Sequence, residues 1–343
     1  MSAPVIVVFH GNCTDGALAA LLASQYYAAA GVLATFYPAN PSDPRTFPGG
    51  GVLGWPGPSP LLLLDITPPP ELMAFYKTQC SAITIIDHHP VLPEVAAGCS
   101  VVHTVERCAA YLTYTYLWPT APIPEWLQSV DRVDRWTGVT EEDKHLREVF
   151  HPLAKLAVSH SPAMAFYELN KVLHQLALAD TAAPVYAYGK ALYDEKMAAL
   201  DASLEECHHH MVEIDPEYSD AWSLPIAWYG RGMYVIDTTD HKNFDTTAGS
   251  QRVFDKFPGV DIFLNYRLIT WHSGSKYAFH ARARDGSSIN LTDCPHLNGH
   301  PCAAGGQRIV DGSIMPFVLD QEEEDLPDLE ASAANGLITM SQM

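Results

Sequence analysis

The stretch VIVVFHGNCTDG, from Val5 to Gly16, decides how this chain is read. Its first five residues are apolar and mostly β-branched with no polar alternation, the pattern of a strand covered on both faces. His10 to Asp15 break the run, and a helical stretch rich in Ala and Leu follows through Tyr27. Buried strand, short polar turn and helix together open a βαβ unit. The pattern returns downstream: Leu61–Leu64 runs into Asp65, Thr84–Ile86 into Asp87-His88-His89, and Val101–His103 into a helical stretch at Ala109–Trp118. Between the first two strands, residues 38–60 are rich in Pro and Gly and read as a long irregular loop. This rhythm predicts an α/β fold built on a doubly wound, mostly parallel sheet.

Beyond it, Leu146, Val149, Leu153, Leu156, Leu169, Leu173 and Leu176 recur at helical spacings, so residues 141–210 read as helical. From Pro225 the strand pattern resumes in IAWYG, MYVID, DIFLNYRLITW and YAFHARA, followed by a glycine-rich segment from Asn298 to Gly306. A chain of 343 residues exceeds one ordinary core. The expected division is a catalytic α/β domain over 1–140, a helical connector over 141–215, a smaller α/β domain over 216–319 and an acidic flexible tail over 320–343. The consecutive His208, His209 and His210 would point around a helix, which makes them a solvated or capping run and no metal site.

The formal net charge is −20, from 40 acidic against 20 basic residues. Long nucleic acids bind chiefly through phosphate neutralisation by Lys and Arg, so this balance disfavours them and favours a short or mononucleotide ligand held locally beside metal ions. The seven Cys form no CxxC pair and their number is odd, which fits a reducing, cytoplasmic setting. The N-terminal residues lack the basic segment and long apolar run of a signal peptide. No apolar run approaches the ~20 residues of a membrane helix.

Ligands of an open parallel sheet bind beyond the carboxyl ends of its strands. Three apolar runs end there in metal-competent residues: the first in His10 and Asp15, the second in Asp65, the third in Asp87, His88 and His89. Asp131 and Asp134, in WLQSVDRVDRW, add carboxylates at helical spacing. Each has a structural reading alone, as a turn residue, a helix cap or a salt-bridged face. Together at one edge they would repel one another unless divalent cations joined them.

These residues resemble the successive motifs of the DHH phosphoesterases. His10-Gly11-Asn12-Cys13-Thr14-Asp15-Gly16, Asp65, Asp87-His88-His89 and Asp134-Arg135-Trp136 match them in order, and Glu106-Arg107-Cys108-Ala109-Ala110 is similar to the small-residue helix start after the third. Gly299-His300-Pro301 with Ala303-Ala304-Gly305 resembles the glycine-rich loop of the DHHA1 domain, and Arg282 its preceding arginine strand. The resemblance spans about residues 5–310. It implies two ions, Mn²⁺ or Mg²⁺: one held by Asp15, Asp65, His88 and Asp134, the other near His10 with Asp65 bridging. His89 would face the substrate phosphate and Asp87 would orient its neighbours. The activity implied is hydrolysis of short oligonucleotides or small nucleotide phosphodiesters to 5′-nucleotides. Cyclic-dinucleotide or adenosine-bisphosphate hydrolysis, and a structural or self-assembling protein on a decayed enzyme scaffold, remain the alternatives. A homo-oligomer is compatible with each.

Two departures bear on the site. Where many members carry a second Asp in the first motif, this chain has Cys13, and the short His10–Asp15 spacing is expected to turn its thiol away from the ions. Only one glycine precedes His300. His280, Arg282 and Arg284 alternate along a strand and share a face; with Gly299, His300 and Gly305 they are the expected clamp for a terminal phosphate, and basic surface residues are the other reading of that ladder.

Overall fold

The computed structural model describes residues 4–49, 58–214, 224–241, 244–271, 274–294, 297–300 and 302–309. It divides into two compact units, Met1–Asp194 and Glu195–Met343. The tail over 320–343 and Pro301 lie outside the described residues, as does most of the Gly-rich segment near residue 50.

The first unit is a five-stranded parallel sheet in the order β2-β1-β3-β4-β5, with β1 at Val5–His10, β2 at Ala34–Ala39, β3 at Leu61–Leu64, β4 at Ile83–Asp87 and β5 at Ser100–His103. Successive strand residues feed opposite cores, as their period of two requires. Val5, Val7, Phe9, Leu62, Leu64 and Ile86 pack towards α1 (Thr14–Ala29) and α4 (Ala109–Leu117). Ile6, Val8, Leu61, Leu63, Ile83 and Ile85 pack against Met73 and Tyr76 of α2 (Pro70–Gln79) and Val95 of the short α3 (Pro93–Ala96). Full burial is worth about 1.5–3 kcal/mol per large apolar side chain, so each polarless run is stable only with a layer on both faces. That is the doubly wound arrangement. Its order of strands reverses between β1 and β3, and the ligand crevice of such a sheet opens at that reversal.

Helices α5 (Glu125–Arg135), α6 (Glu141–Ser159) and α7 (Pro162–Leu176) complete the unit. Leu146, Val149, Phe150, Leu169 and Leu173 enter the same core as α1. A capping box opens α6: Thr140 accepts from the amide of Asp143, and Asp143 accepts from that of Thr140. Asp143 is also held by Arg132 at 2.7 Å. Helix α8, Ala179–Glu206, runs across the division between the units.

The second unit carries a mixed six-stranded sheet in the order β10-β11-β9-β8-β7-β6. Its strands are β6 at His209–Glu213, β7 at Gly232–Asp237, β8 at Val260–Trp271, β9 at Gly274–Ala283, β10 at Asn298–His300 and β11 at Ala303–Ile309, with α9 (Thr246–Lys256) between β7 and β8. Only β7 and β8 pair in parallel.

Several expectations are corrected. Ile226–Trp228 is a 3-10 turn, not a strand, opened by Pro225. The loop expected from residue 38 begins two residues late, because Pro38 and Ala39 belong to β2; as an edge strand, β2 tolerates a proline without an amide proton. His209 and His210 lie in β6, not on a helix. Pairing with β7 and stacking of His209 on Tyr234 at 5.1 Å favour the extended form there.

Candidate metal centre

At the reversal, β1 ends in His10 and β3 gives way to Asp65. Asp65 has φ 57°, the left-handed region that Asp and Asn enter more readily than other side chains. Its amide still donates to Ile86 O, so the chain turns only after the last sheet bond and the carboxylate is aimed off the edge. Oδ2 lies 3.4 Å from His10 Nδ1, while Oδ1 lies 3.4 Å from His88 Nε2 and 3.6 Å from His89 Nδ1. Gly16 sets the reach of His10: a Cβ there would meet the His10 carbonyl oxygen at 2.4 Å.

Asp15 enters from the first turn of α1. It caps another helix, α4, accepting from the amides of Ala109 and Ala110 at 2.7 Å each. Its Oδ2 is 3.8 Å from His88 Nε2, and Asp134 Oδ2, from the last turn of α5, is 3.3 Å from the same nitrogen. Three buried or half-buried carboxylates thus surround one imidazole. Ligand atoms of Asp15, His88 and Asp134 lie within 4.8 Å of one another, as do those of His10, Cys13 and Asp65, and those of Asp65, Asp87, His88 and His89.

Cys13 therefore does not turn away. It occupies the N-cap of α1 in extended conformation, which swings its side chain towards His10 and Asp65. Asp131 does not join the cluster: its carboxylate accepts from Arg107, Arg135 and the amide of Cys108, the salt-bridged reading of that residue. Asp87 accepts from the backbone amide and Nδ1 of His89 and from Thr67 Oγ1, which fixes the imidazole of His89. His103 was not singled out by sequence, although it too ends a strand; its Nε2 donates to the His89 carbonyl at 2.9 Å.

The donor set fits cations. Both oxygens of Asp65 and one of Asp134 are buried with no hydrogen-bond partner among the described residues, and buried carboxylate oxygens left so are costly. Burial and the neighbouring Asp65 charge push Asp15 up to about 7, and burial with Asp15 and Asp65 pushes Asp134 well up too. Burial would also raise Asp65, but His10 and His88 outweigh it and hold it below the usual carboxylate range. For His89 burial works downward, and Asp87 and Asp65 overcome it to reach about 9.

These shifts fix a sign. Asp15 is raised above its unfolded value, so the metal-free fold favours its protonated form and loses stability as pH rises from near 4 through about 7. His88, also raised, changes stability in the same direction. A bound cation would replace those protons. The Mn²⁺-induced rise in Tm is expected to be small near pH ~5 and to grow towards pH ~8. Scanning calorimetry with and without Mn²⁺ checks this, and an increment independent of pH would count against the carboxylate cluster as the binding site.

In the second unit, Arg282 on β9 donates to Thr247 Oγ1 in the first turn of α9 at 2.8 Å. His280, two residues earlier, lies opposite Asn265 and Gly305; a Cβ on Gly305 would approach the Phe279 carbonyl oxygen at 3.0 Å. Burial, together with Arg267 and Arg282, lowers the pKa of His280. Arg284 leaves the expected clamp. Its guanidinium donates to the carbonyls of Val260, Phe254 and Phe257, closing the C-terminal end of α9. Gly299 and His300 pair through their backbones with Ala304 and Ala303, and the His300 side chain lies outside what the structure describes.

No family model matches the sequence, and no curated protein matches it. Among solved structures, the chain is similar to the pGpG-specific phosphodiesterase PggH from Vibrio cholerae, at 14% identity over 91% of this chain and 94% of that one, with a TM-score of 0.41. It is similar also to an exopolyphosphatase-related protein from Bacteroides fragilis, at 12% identity over 88% and 86%, TM-score 0.44. RecJ from Thermus thermophilus in complex with Mn²⁺ matches at 14% identity over 98% of this chain and 53% of that one, TM-score 0.46.

Proposed function

We propose that this chain is a metal-dependent phosphodiesterase of the DHH type, hydrolysing short oligonucleotides or small nucleotide phosphodiesters to 5′-nucleotides. The observation that carries the reading is Asp65: a buried carboxylate at the sheet reversal, with neither oxygen hydrogen-bonded among the described residues, facing His10 on one side and His88 and His89 on the other. Asp15, His88 and Asp134 would hold one divalent ion and His10 with Cys13 another, with Asp65 between them. Such ions supply neutralisation of phosphoryl oxygens and acidification of water, the chemistry of two-metal hydrolysis. His89 is the group for the substrate. Its side chain is 43% exposed beside the buried cluster, and Asp87 aligns its ring towards donation to a phosphoryl oxygen. The α1 and α4 N-termini, meeting at Asp15, place backbone amides at the same edge.

Substrate length follows from charge. With −20 overall, phosphate-rich polymers are repelled, whereas one terminal phosphate needs only a local cationic face, for which Arg282 and Arg267 in the second unit are the candidates, with His280 beside them as a neutral donor. Among the described residues no helix is long and apolar enough to cross a membrane. The test is a panel assayed with Mn²⁺: dinucleotides to pentanucleotides, longer single-stranded RNA, cyclic dinucleotides and an adenosine bisphosphate. Oligomers of about two to five units are expected to give the highest kcat/KM. Equal processive cleavage of long strands would overturn the charge argument. Preference for a cyclic dinucleotide or bisphosphate would redirect the substrate, and metal binding without turnover on any member would favour a non-catalytic scaffold.

A further inference from the structure

The two candidate ion positions differ in chemistry. Asp15, His88 and Asp134 offer two oxygens and a nitrogen, whereas His10, Cys13 and Asp65 offer a nitrogen, a sulfur and an oxygen. Resting on the two-ion reading above, we infer that the second position takes a thiophilic divalent ion, of the Zn²⁺ or Co²⁺ class, with the Cys13 thiolate as ligand, beside a first position suited to Mn²⁺ or Mg²⁺. The centre is thereby a mixed one.

Geometry and composition both support this. In a tetrahedral site, donor atoms at about 2.0–2.3 Å from one ion stand roughly 3.3–3.8 Å apart. The His10, Cys13 and Asp65 donors already lie within 4.8 Å of one another, with His10 Nδ1 and Asp65 Oδ2 at 3.4 Å, so adjustment of about 1 Å closes them on a cation. An N-cap side chain ordinarily accepts from the helix's own first amides; Cys13 makes no such bond, and its backbone directs the thiol to the cluster instead. None of the seven cysteines is in a disulfide, so the sulfur is available. Asp65, 2% exposed with neither oxygen hydrogen-bonded among the described residues, points into the same space and is an independent mark of a cation site. A thiolate ligand selects Zn²⁺ and its relatives over Mn²⁺ and Mg²⁺, whereas the first position offers mainly oxygens and no sulfur. On binding, the Cys13 S–H proton leaves to solvent and the S–metal bond replaces the S–H bond.

Cobalt is the probe. Metal-free full-length protein titrated with Co²⁺ is expected to bind two ions, one of them giving a sulfur-to-cobalt charge-transfer band in the near ultraviolet. That band disappears in Cys13→Ser and persists in Cys108→Ala, the other buried thiol near Asp15. Across a dialysis series of rising Mn²⁺-to-Zn²⁺ ratio, the parent should retain one Zn²⁺ by elemental analysis to a higher ratio than Cys13→Asp does. Two bound Co²⁺ ions without the band, or a band that survives Cys13→Ser, overturns the inference and leaves the two-ion phosphodiesterase reading standing. No Co²⁺ bound at all overturns both.

Discussion

Asp65→Asn is expected to lower kcat/KM on a chromogenic phosphodiester by on the order of a thousandfold or more, about 4 kcal/mol of transition-state stabilisation, with the fold unchanged. Asparagine retains the size of the side chain and tolerates φ 57° as aspartate does, so the turn after β3 survives. What disappears is the negative charge that the two proposed ion positions would share. Steady-state kinetics, elemental analysis and circular dichroism on the same preparation check the three parts separately. Full turnover with full metal content would remove Asp65 from the centre.

His88→Ala should cost both activity and stability, and His89→Ala mainly activity. His88 is buried, its Nε2 within 3.3–3.8 Å of Asp134, Asp65 and Asp15, and three carboxylates lose their common counter-charge without it. Removing one partner of a buried charge cluster costs about 3 kcal/mol or more, so urea unfolding of metal-free His88→Ala should show an earlier midpoint at unchanged slope. Mn²⁺ should restore little, because a ligand is gone too. His89 is partly exposed, and its loss takes from Asp87 and Asp65 a partner at 2.8 and 3.6 Å, so its variant should lose less stability than His88→Ala while turnover falls by a hundredfold or more, of the order expected of a donor to the reacting group. A His88→Ala variant as stable as the parent would show that the carboxylates are neutral or neutralised elsewhere.

The sheet was legible because burial on both faces leaves no polar residue in VIVVF or LLLL and only Thr84 in ITII, and those runs end where chemistry begins. Local pattern therefore located His10, Asp65 and the Asp87–His89 triplet. It failed where a residue's role depends on a partner distant in sequence. Asp131 and Asp134 have the same spacing signal, yet Arg107 and the Cys108 amide, 24 and 23 residues away, claim Asp131 and leave Asp134 to the cluster. Arg284 alternates with Arg282 as a clamp residue should, but the carbonyls at the end of α9 capture it. Cys13 was misplaced because spacing gives the number of residues in a turn and not the direction of a side chain. The strand at His209 was missed because its support is Tyr234 on β7.

The opening of α4 is a junction. Three consecutive amides, Cys108, Ala109 and Ala110, are taken by Asp131 of α5 and Asp15 of α1. Neither the height of Asp134 nor the tilt of Asp15 is set until α4 has docked, even if every strand is already in place. Carboxylates from α1 and α5 are therefore brought to the sheet edge together only where that junction is closed. A half-folded chain emerging from synthesis would present scattered ligands that do not sequester metal, and the loaded state would certify a finished molecule.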